Sequence, residues 1–201
     1  MKLAIIAAGL SEPSSTRLLA DRLEKATRTA LQDQGTAVES TMIEVRTLAH
    51  DVVDVLLTRV ASPELEAARR HVQDADALIV VSPTFTMSYS GLFKSFIDVL
   101  EDGSLAGMPV LLAATGGTAR HSMVLDVALR PLLSYLKALT LPTAVYAAAE
   151  DWGSPGLDAR IEKAGRELAD ALVALPRRRR SDPFDADSPD FVSFESLLGG
   201  S

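Results

Sequence analysis

Five short apolar segments, separated by longer segments with helical periodicity, constrain the fold of this chain more than any other feature. The apolar segments are residues 2–8, 38–45, 77–82, 109–115 and 142–147. Four of them are almost continuously apolar, as in a parallel sheet covered on both faces, whereas 38–45 alternates and is expected at an edge. The alternation therefore predicts an α/β protein in which strands and helices follow one another.

The intervening segments carry recognisable helix start and stop signals. Residues 15–34 have leucine and alanine at helical spacing, and Gly35 after them is typical of a helix C-terminus. Ser62 and Pro63 are typical of an N-cap and a first helical position. Further helices are expected at 91–100, 123–138 and 157–175. Five strand–helix units in a chain of this length favour a flavodoxin-like doubly wound sheet of five parallel strands, in the order 2-1-3-4-5 with helices on both faces.

The sequence predicts one domain followed by a tail. A chain of 201 residues with 47% hydrophobic residues can bury one sizeable core, which we place in residues 1–176. Residues 177–201 begin with four arginines and continue with five acidic residues, without further Lys or Arg but with several Phe and Leu. We expect this tail to be flexible, or to dock on the domain or on a partner.

Composition excludes several classes of function. The chain has no cysteine, so redox chemistry would require a bound cofactor, and a formal charge of −7 argues against a nucleic-acid partner. No apolar run approaches the roughly 18 residues of a membrane span, and the short apolar start leads directly into a helix signal rather than a secretory cleavage site. A cytoplasmic location is expected. His50, Asp51 and Asp54 fit a helix start better than a metal site, so no metal is expected.

Ligands of doubly wound sheets bind beyond the carboxyl ends of the strands, where the strand order reverses. The segment after the first strand leads into a helix, whose unpaired N–H groups and partial positive charge favour an anion such as a phosphate monoester. Capping of the helix by Ser14 or Ser15 is the alternative interpretation. Neither a Walker sequence nor GxGxxG is present, which argues against nucleoside triphosphate hydrolysis and NAD-type Rossmann binding. The candidate ligands are Ser11, Ser14, Ser15, Thr16 and Arg17.

Two more segments lie at the same predicted edge. The segment after the third strand mixes hydroxyl and aromatic side chains without a charge before Lys94, which suits a flat neutral ring, although its aromatics could instead complete the core. The paired glycines after the fourth strand permit close backbone approach to a ligand, although alone they indicate only a turn. The candidate residues are Pro83, Thr84, Phe85, Thr86, Ser88 and Tyr89 in one segment, and Thr115, Gly116, Gly117 and Thr118 in the other.

These segments together resemble the NADPH-dependent FMN reductases of flavodoxin-like fold, most of all the branch that supplies reduced FMN to two-component monooxygenases. The resemblance is carried by residues 14–20, 82–94, 116–117 and 129–132. It implies that the hydroxyls and Arg17 after the first strand hold the FMN phosphate, that residues 83–86 line the flavin ring, and that 115–118 close its other side. It also implies that Tyr89 lies in a locally widened helix at the flavin and at a subunit interface. Phe85 stands where relatives often have Tyr, and Leu10 interrupts the usual Gly-Ser.

The activity implied by the resemblance is hydride transfer from NADPH to FMN, with no catalytic side-chain acid or base. An FMN-retaining quinone or azo-compound reductase is the alternative, and an electron-carrier flavodoxin ranks last. A flavin-dependent monooxygenase is the expected protein partner. A homodimer or homotetramer is also expected, because the aromatic segment around Phe93 and Phe96, if exposed on a lone subunit, would form an apolar patch of the kind that marks interfaces.

Overall fold

A computed structural model describes residues 1–175 and 196 of the chain. The predicted tail, apart from Ser196, and the predicted domain boundary at residue 176 lie outside the described residues.

The centre of the structure is a parallel sheet. Its strands lie in the order β2-β1-β3-β5, and β6 and β7 both pair with β5 at the far edge. The predicted order 2-1-3-4-5 is therefore confirmed, with an edge strand in two pieces and an added antiparallel strand, β4, beside β3. The strands are β1 (Lys2–Ala7), β2 (Glu39–Glu44), β3 (Ala77–Phe85), β4 (Ser88–Tyr89), β5 (Pro109–Gly116), β6 (Leu139–Thr140) and β7 (Val145–Ala148).

The broken edge strand corrects the prediction of a strand from residue 142. The N–H of Leu141 still donates to the carbonyl oxygen of Val110, at 2.9 Å. Pro142 has no N–H to continue the ladder, so regular pairing resumes only at Val145.

Helices cover both faces of the sheet. One face packs against α1 (Ser15–Asp33) and α6 (Pro155–Ala174). The other packs against α2 (Ala49–Thr58), α3 (Pro63–Gln73), α4 (Gly91–Asp98) and α5 (Arg130–Tyr135). Among residues 1–175 and 196, no helix is both long and apolar enough to cross a bilayer.

Phe93 and Phe96 belong to the core and not to the surface. Both side chains of α4 are fully buried against the sheet, so the apolar patch predicted around them is wrong. The residues point inward because they lie, with Ile97, on the one apolar face of a short helix.

The predicted helix at 123–138 is shorter than expected and contains a widened turn. Residues Leu125–Leu129 form a π-helix that continues directly into α5. Pro131 has no N–H for the carbonyl of Val127, and its ring would crowd that carbonyl in a regular α-helix. The wider turn accommodates the proline.

Close contact between α1 and α6 depends on Gly165. A Cβ at this position would lie only 2.8 Å from three atoms of α1. These atoms are the carbonyl carbon and the Cβ of Ala26 and the backbone nitrogen of Thr27. Backbone atoms of a packed helix cannot move aside cheaply, so only glycine fits this crossing.

We expect Gly165→Ala to lower the free energy of unfolding by about 1–3 kcal/mol, because overpacking outweighs the gain in helix propensity. Urea unfolding followed by circular dichroism measures the change. Gly156→Ala is the matched control: it lies in the same helix, and its Cβ would meet nothing closer than Ser154 Oγ at 3.9 Å. Equal stability of the two variants would contradict the packing argument.

Candidate ligand site at the carboxyl edge of the sheet

Three segments at the carboxyl ends of β1, β3 and β5 meet at one edge of the sheet, as predicted. We call residues 8–14 the first loop, 83–90 the second loop and 115–121 the third loop. β3 pairs with β1 on one side and with β5 on the other, which brings the loops together. The buried hydroxyls of Thr16 and Thr115 are hydrogen-bonded at 2.8 Å and join the start of α1 to the third loop.

The first loop ends in a capped helix start. Ser14 is the N-cap of α1 and its Oγ accepts the N–H of Arg17 at 3.2 Å, so the capping interpretation is correct for Ser14. The N–H groups of Ser15 and Thr16 have no acceptor within the helix. Ser15 is exposed and the first turn contains no acidic residue. Ser11 is exposed and donates to the carbonyl oxygen of Pro13 at 3.1 Å.

Arg17 is already paired with two carboxylates. Its Nε donates to a carboxylate oxygen of Asp21 at 2.9 Å, and its Nη1 donates to a carboxylate oxygen of Glu44. The hydrogen bond to Asp21, with the nearby charge of Glu44, raises the pKa of Arg17. A guanidinium has about five N–H donors, so Arg17 retains donors for a further anion.

A second ion pair also fastens the first loop to the end of β2. The Nη2 of Arg46 lies 2.8 Å from a carboxylate oxygen of Glu12. The pair between Arg17 and Glu44 joins the start of α1 to the end of the same strand. The charged groups around the loop are thus largely balanced against one another.

The second loop is a two-residue β-hairpin. Thr84 pairs with Tyr89 and Phe85 with Ser88, and the turn residues Thr86 and Met87 have φ of 47° and 66°. Such left-handed turns match the strand twist but cost about 1–2 kcal/mol for each residue with a side chain. Phe85, Thr86 and Met87 are exposed at the tip.

Two serines hold the base of this hairpin. The N–H of Ser90 donates to Ser82 Oγ at 3.0 Å, and the N–H of Phe93 donates to Ser90 Oγ at 3.1 Å. Since Ser90 caps α4, the helix begins after Tyr89. The expectation that Tyr89 lies in a widened helix is therefore wrong; it is a hairpin residue, half-buried, with its ring edge-on to Phe93. The widened helix occurs instead at Leu125–Leu129, which packs against β4.

The third loop combines a tightly packed glycine with an open one. A Cβ on Gly116 would overlap the Tyr146 hydroxyl, whereas a Cβ on the exposed Gly117 would meet nothing within 4 Å. The Tyr146 hydroxyl donates to the carbonyl oxygen of Thr118 at 3.0 Å. The Oγ1 of Thr118 is buried and has no hydrogen-bond partner.

Tyr146 is the residue of this site that the sequence interpretation missed. It lies in β7, which was predicted only as a buried strand. A phenol inside an apolar strand must find a hydrogen-bond partner when buried, and that rule was the available signal.

The residues present fit a phosphorylated flat ring. Free N–H groups and hydroxyls at the start of α1 suit a phosphate. The uncharged second loop, the open side of Gly117 and the unpartnered Thr118 Oγ1 suit a neutral ring with polar edges. A groove of about 430 Å³ between α1 and α6 lacks these features, since its charged walls include the pairs Arg22–Asp158 and Arg166–Glu162. Within the part of the chain described, no three His, Asp or Glu side chains cluster as a metal site would require.

Comparison with known proteins agrees with the site chemistry. The model of the NADPH-dependent FMN reductase family matches residues 1–153. An FMN reductase (NADPH) of Pseudomonas aeruginosa is 38% identical over 173 residues, covering 84% of this chain and 90% of the relative. The NADH-dependent FMN reductase SfnF of Pseudomonas fluorescens is 37% identical over 174 residues, with coverage of 84% and 90%.

A solved structure is similar along nearly the whole described chain. An oxidoreductase from Corynebacterium diphtheriae superposes with a TM-score of 0.84 and 46% sequence identity, covering 87% of this chain and 98% of that chain. The family match spans most of the sequence and includes all three loops. The chain therefore belongs to the NADPH-dependent FMN reductase family.

Proposed function

We propose that this chain reduces FMN with NAD(P)H and releases the reduced FMN to a flavin-dependent monooxygenase. The observation that carries the proposal is the meeting of an anion-binding helix start with an uncharged hairpin and an open glycine at one edge of the sheet. Membership of the family supports the reaction itself. The monooxygenase is the acceptor suggested by the sequence resemblance.

The first loop and the start of α1 bind the FMN phosphate in this proposal. The backbone N–H groups of Ser15 and Thr16 donate to phosphate oxygens, and the hydroxyls of Ser11 and Ser15 lie on the accessible side. Ser14 contributes by capping the helix, and can still donate its own hydroxyl proton. Arg17 adds a charge that its two carboxylates hold in place. Thr16 fixes the distance to the third loop through Thr115.

The second and third loops bind the flavin ring. In the proposal, residues 83–86 with Ser88 and Tyr89 line one side, and residues 115–118 close the other. These residues orient the ring, and their N–H groups donate to its polar edge. When bound, FMN supplies the redox chemistry by accepting a hydride from NAD(P)H. No side chain of the three loops is needed as an acid or base.

The openness of the site favours FMN as an exchanging substrate over a permanently held group. Phe85, Thr86, Met87 and Gly117 are all exposed, so the ring side of the site is accessible to solvent. A quinone or azo-compound reductase that retains FMN is the second candidate.

Anaerobic turnover separates these two candidates. With NADPH or NADH in excess over protein, we expect many equivalents of free FMN to be bleached per protein molecule, and riboflavin to be reduced with a higher KM because it lacks the phosphate. Flavin absorbance measures both. Consumption of NAD(P)H only when a quinone is added, with flavin that stays bound on a desalting column, would contradict release and favour the second candidate.

Phosphate binding at α1 is tested by an acid in its first turn. Ser15→Asp should leave the free energy of unfolding unchanged or raise it by about 0.3–1 kcal/mol, since the helix dipole favours a carboxylate there. The same charge should raise the KM for FMN by about tenfold or more through repulsion of the phosphate, with little effect on riboflavin. Ser15→Asn is the neutral control. An equal effect of Ser15→Asp on FMN and riboflavin would contradict the phosphate assignment.

We also propose that the chain forms a homodimer or homotetramer. Since Phe93 and Phe96 are buried, the support for association comes from apolar side chains on α2 and in the turn after it. Val53 is 48% exposed, Leu57 is 79% exposed and Val60 is 72% exposed. Apolar surfaces of this kind mark interfaces. Light scattering at micromolar concentration should give a dimer or tetramer mass, and a monodisperse monomer would contradict the proposal.

A further inference from the structure

Tyr146 connects the edge of the sheet to the third loop. The residue lies in β7 and is only 7% exposed. Its hydroxyl donates a hydrogen bond to the carbonyl oxygen of Thr118 at 3.0 Å. The phenol thus holds the main chain of the third loop at a set distance from β7.

The same hydroxyl also lies between the second and third loops. A Cβ on Gly116 would overlap the Tyr146 hydroxyl and would lie 3.6 Å from the Cβ of Thr84. The position over Gly116 is therefore bordered by the phenol on one side and by Thr84 of the hairpin on the other. The Thr84 side chain is also close enough to the Tyr146 hydroxyl to affect its pKa. One side chain therefore reaches both of the loops that face the flavin ring in the proposed function.

The groups around Tyr146 keep its hydroxyl protonated, and hydrogen bonds fasten the end of β7 on which it lies. Burial raises the pKa of Tyr146, and the nearby carboxylates of Glu150 and Asp151 add to the rise, which outweighs the lowering by Thr84. The hydroxyl therefore remains a donor throughout the neutral range. Asp151 accepts the N–H of Ala148 at 2.9 Å, at the end of the same strand. Glu150 accepts the N–H of Ala119 at 3.4 Å, which adds a second link between this end of the sheet and the third loop.

We propose that Tyr146 is a positioning residue that sets the width of the ring-binding slot between the second and third loops. This inference rests on the proposed function. Tyr146 acts through the Thr118 carbonyl and Gly116 rather than by touching the reacting atoms. Loss of its hydroxyl should therefore impair binding of the ring and not binding of the phosphate.

Tyr146→Phe removes the hydroxyl and keeps the ring. We expect the KM values for FMN and riboflavin to rise by the same factor, about fivefold, which is the effect of one neutral hydrogen bond. The ratio of the KM for FMN to the KM for riboflavin should not change, whereas Ser15→Asp should change that ratio. Tyr135→Phe is the matched control, because it makes the same chemical change on a side chain that is 84% exposed. Its kinetics should equal those of the wild type.

A second variant tests the same contact from the opposite side. Gly116→Ala should displace the phenol and again raise both KM values equally. In the double variant Gly116→Ala/Tyr146→Phe, the overlapped oxygen is gone and the remaining ring carbon Cζ lies 3.1 Å from the new Cβ. The KM values of the double variant should therefore rise by less than the product of the two increases measured for the single variants.

The outcomes separate this inference from the proposed function. If the wild type does not turn over FMN, the proposed function fails, and the slot proposal fails with it. If the wild type turns over FMN but Tyr146→Phe lowers only the unfolding midpoint and leaves both KM values unchanged, Tyr146 is merely structural and the inference is overturned. A rise in the KM values of the double variant equal to the product of the two single-variant increases would also overturn the inference.

Discussion

Burial of the central strands on both faces is the constraint on which the rest of this structure depends. β1, β3 and β5 are almost entirely buried, with helices packed against each side of the sheet. Such strands run parallel and are joined by helical crossovers, so every strand leads into its loop at the same edge. Thr16 and Thr115, which are 99 positions apart in the chain, share a hydrogen bond for this reason.

The chemistry of the site follows from what remains unpaired at that edge. Arg17 and Arg46 are balanced by Asp21, Glu44 and Glu12, so charge alone does not dominate the site. Free helix N–H groups, hydroxyls and glycine backbone remain available. In the proposed function these groups bind the FMN phosphate and the edge of the neutral flavin ring, and a reductase whose cofactor carries the redox chemistry requires little more of its protein.

The parts of the fold that depend on periodicity and apolar content could be predicted from the sequence. The strand order and the convergence of the three loops belong to this class. The parts that depend on local stereochemistry or on contacts between distant residues could not. Pro142 stands at the start of a predicted strand whose regular pairing begins only at Val145, and Pro131 follows a widened turn that has ordinary helical spacing in the sequence.

Contacts across the sheet account for the remaining differences. The spacing of Phe93, Phe96 and Ile97 indicates one apolar helix face, but whether that face packs on the sheet or on a second subunit is decided by tertiary contacts. Tyr146 acquires its role only through Thr118 and Gly116, which lie some 30 positions earlier. Tyr89 was placed by resemblance to a widened helix, whereas hairpin pairing with Thr84 decides its position.

The most direct test of the central claim, that FMN lies across the three loops with its phosphate at α1, is a comparison of backbone amide chemical shifts on titration with FMN and with riboflavin. We predict that the Gly117 amide shifts with both flavins, and that the Ser15 and Thr16 amides shift with FMN alone. Identical responses of Ser15 and Thr16 to the two flavins, or shifts confined to the groove between α1 and α6, would contradict the account.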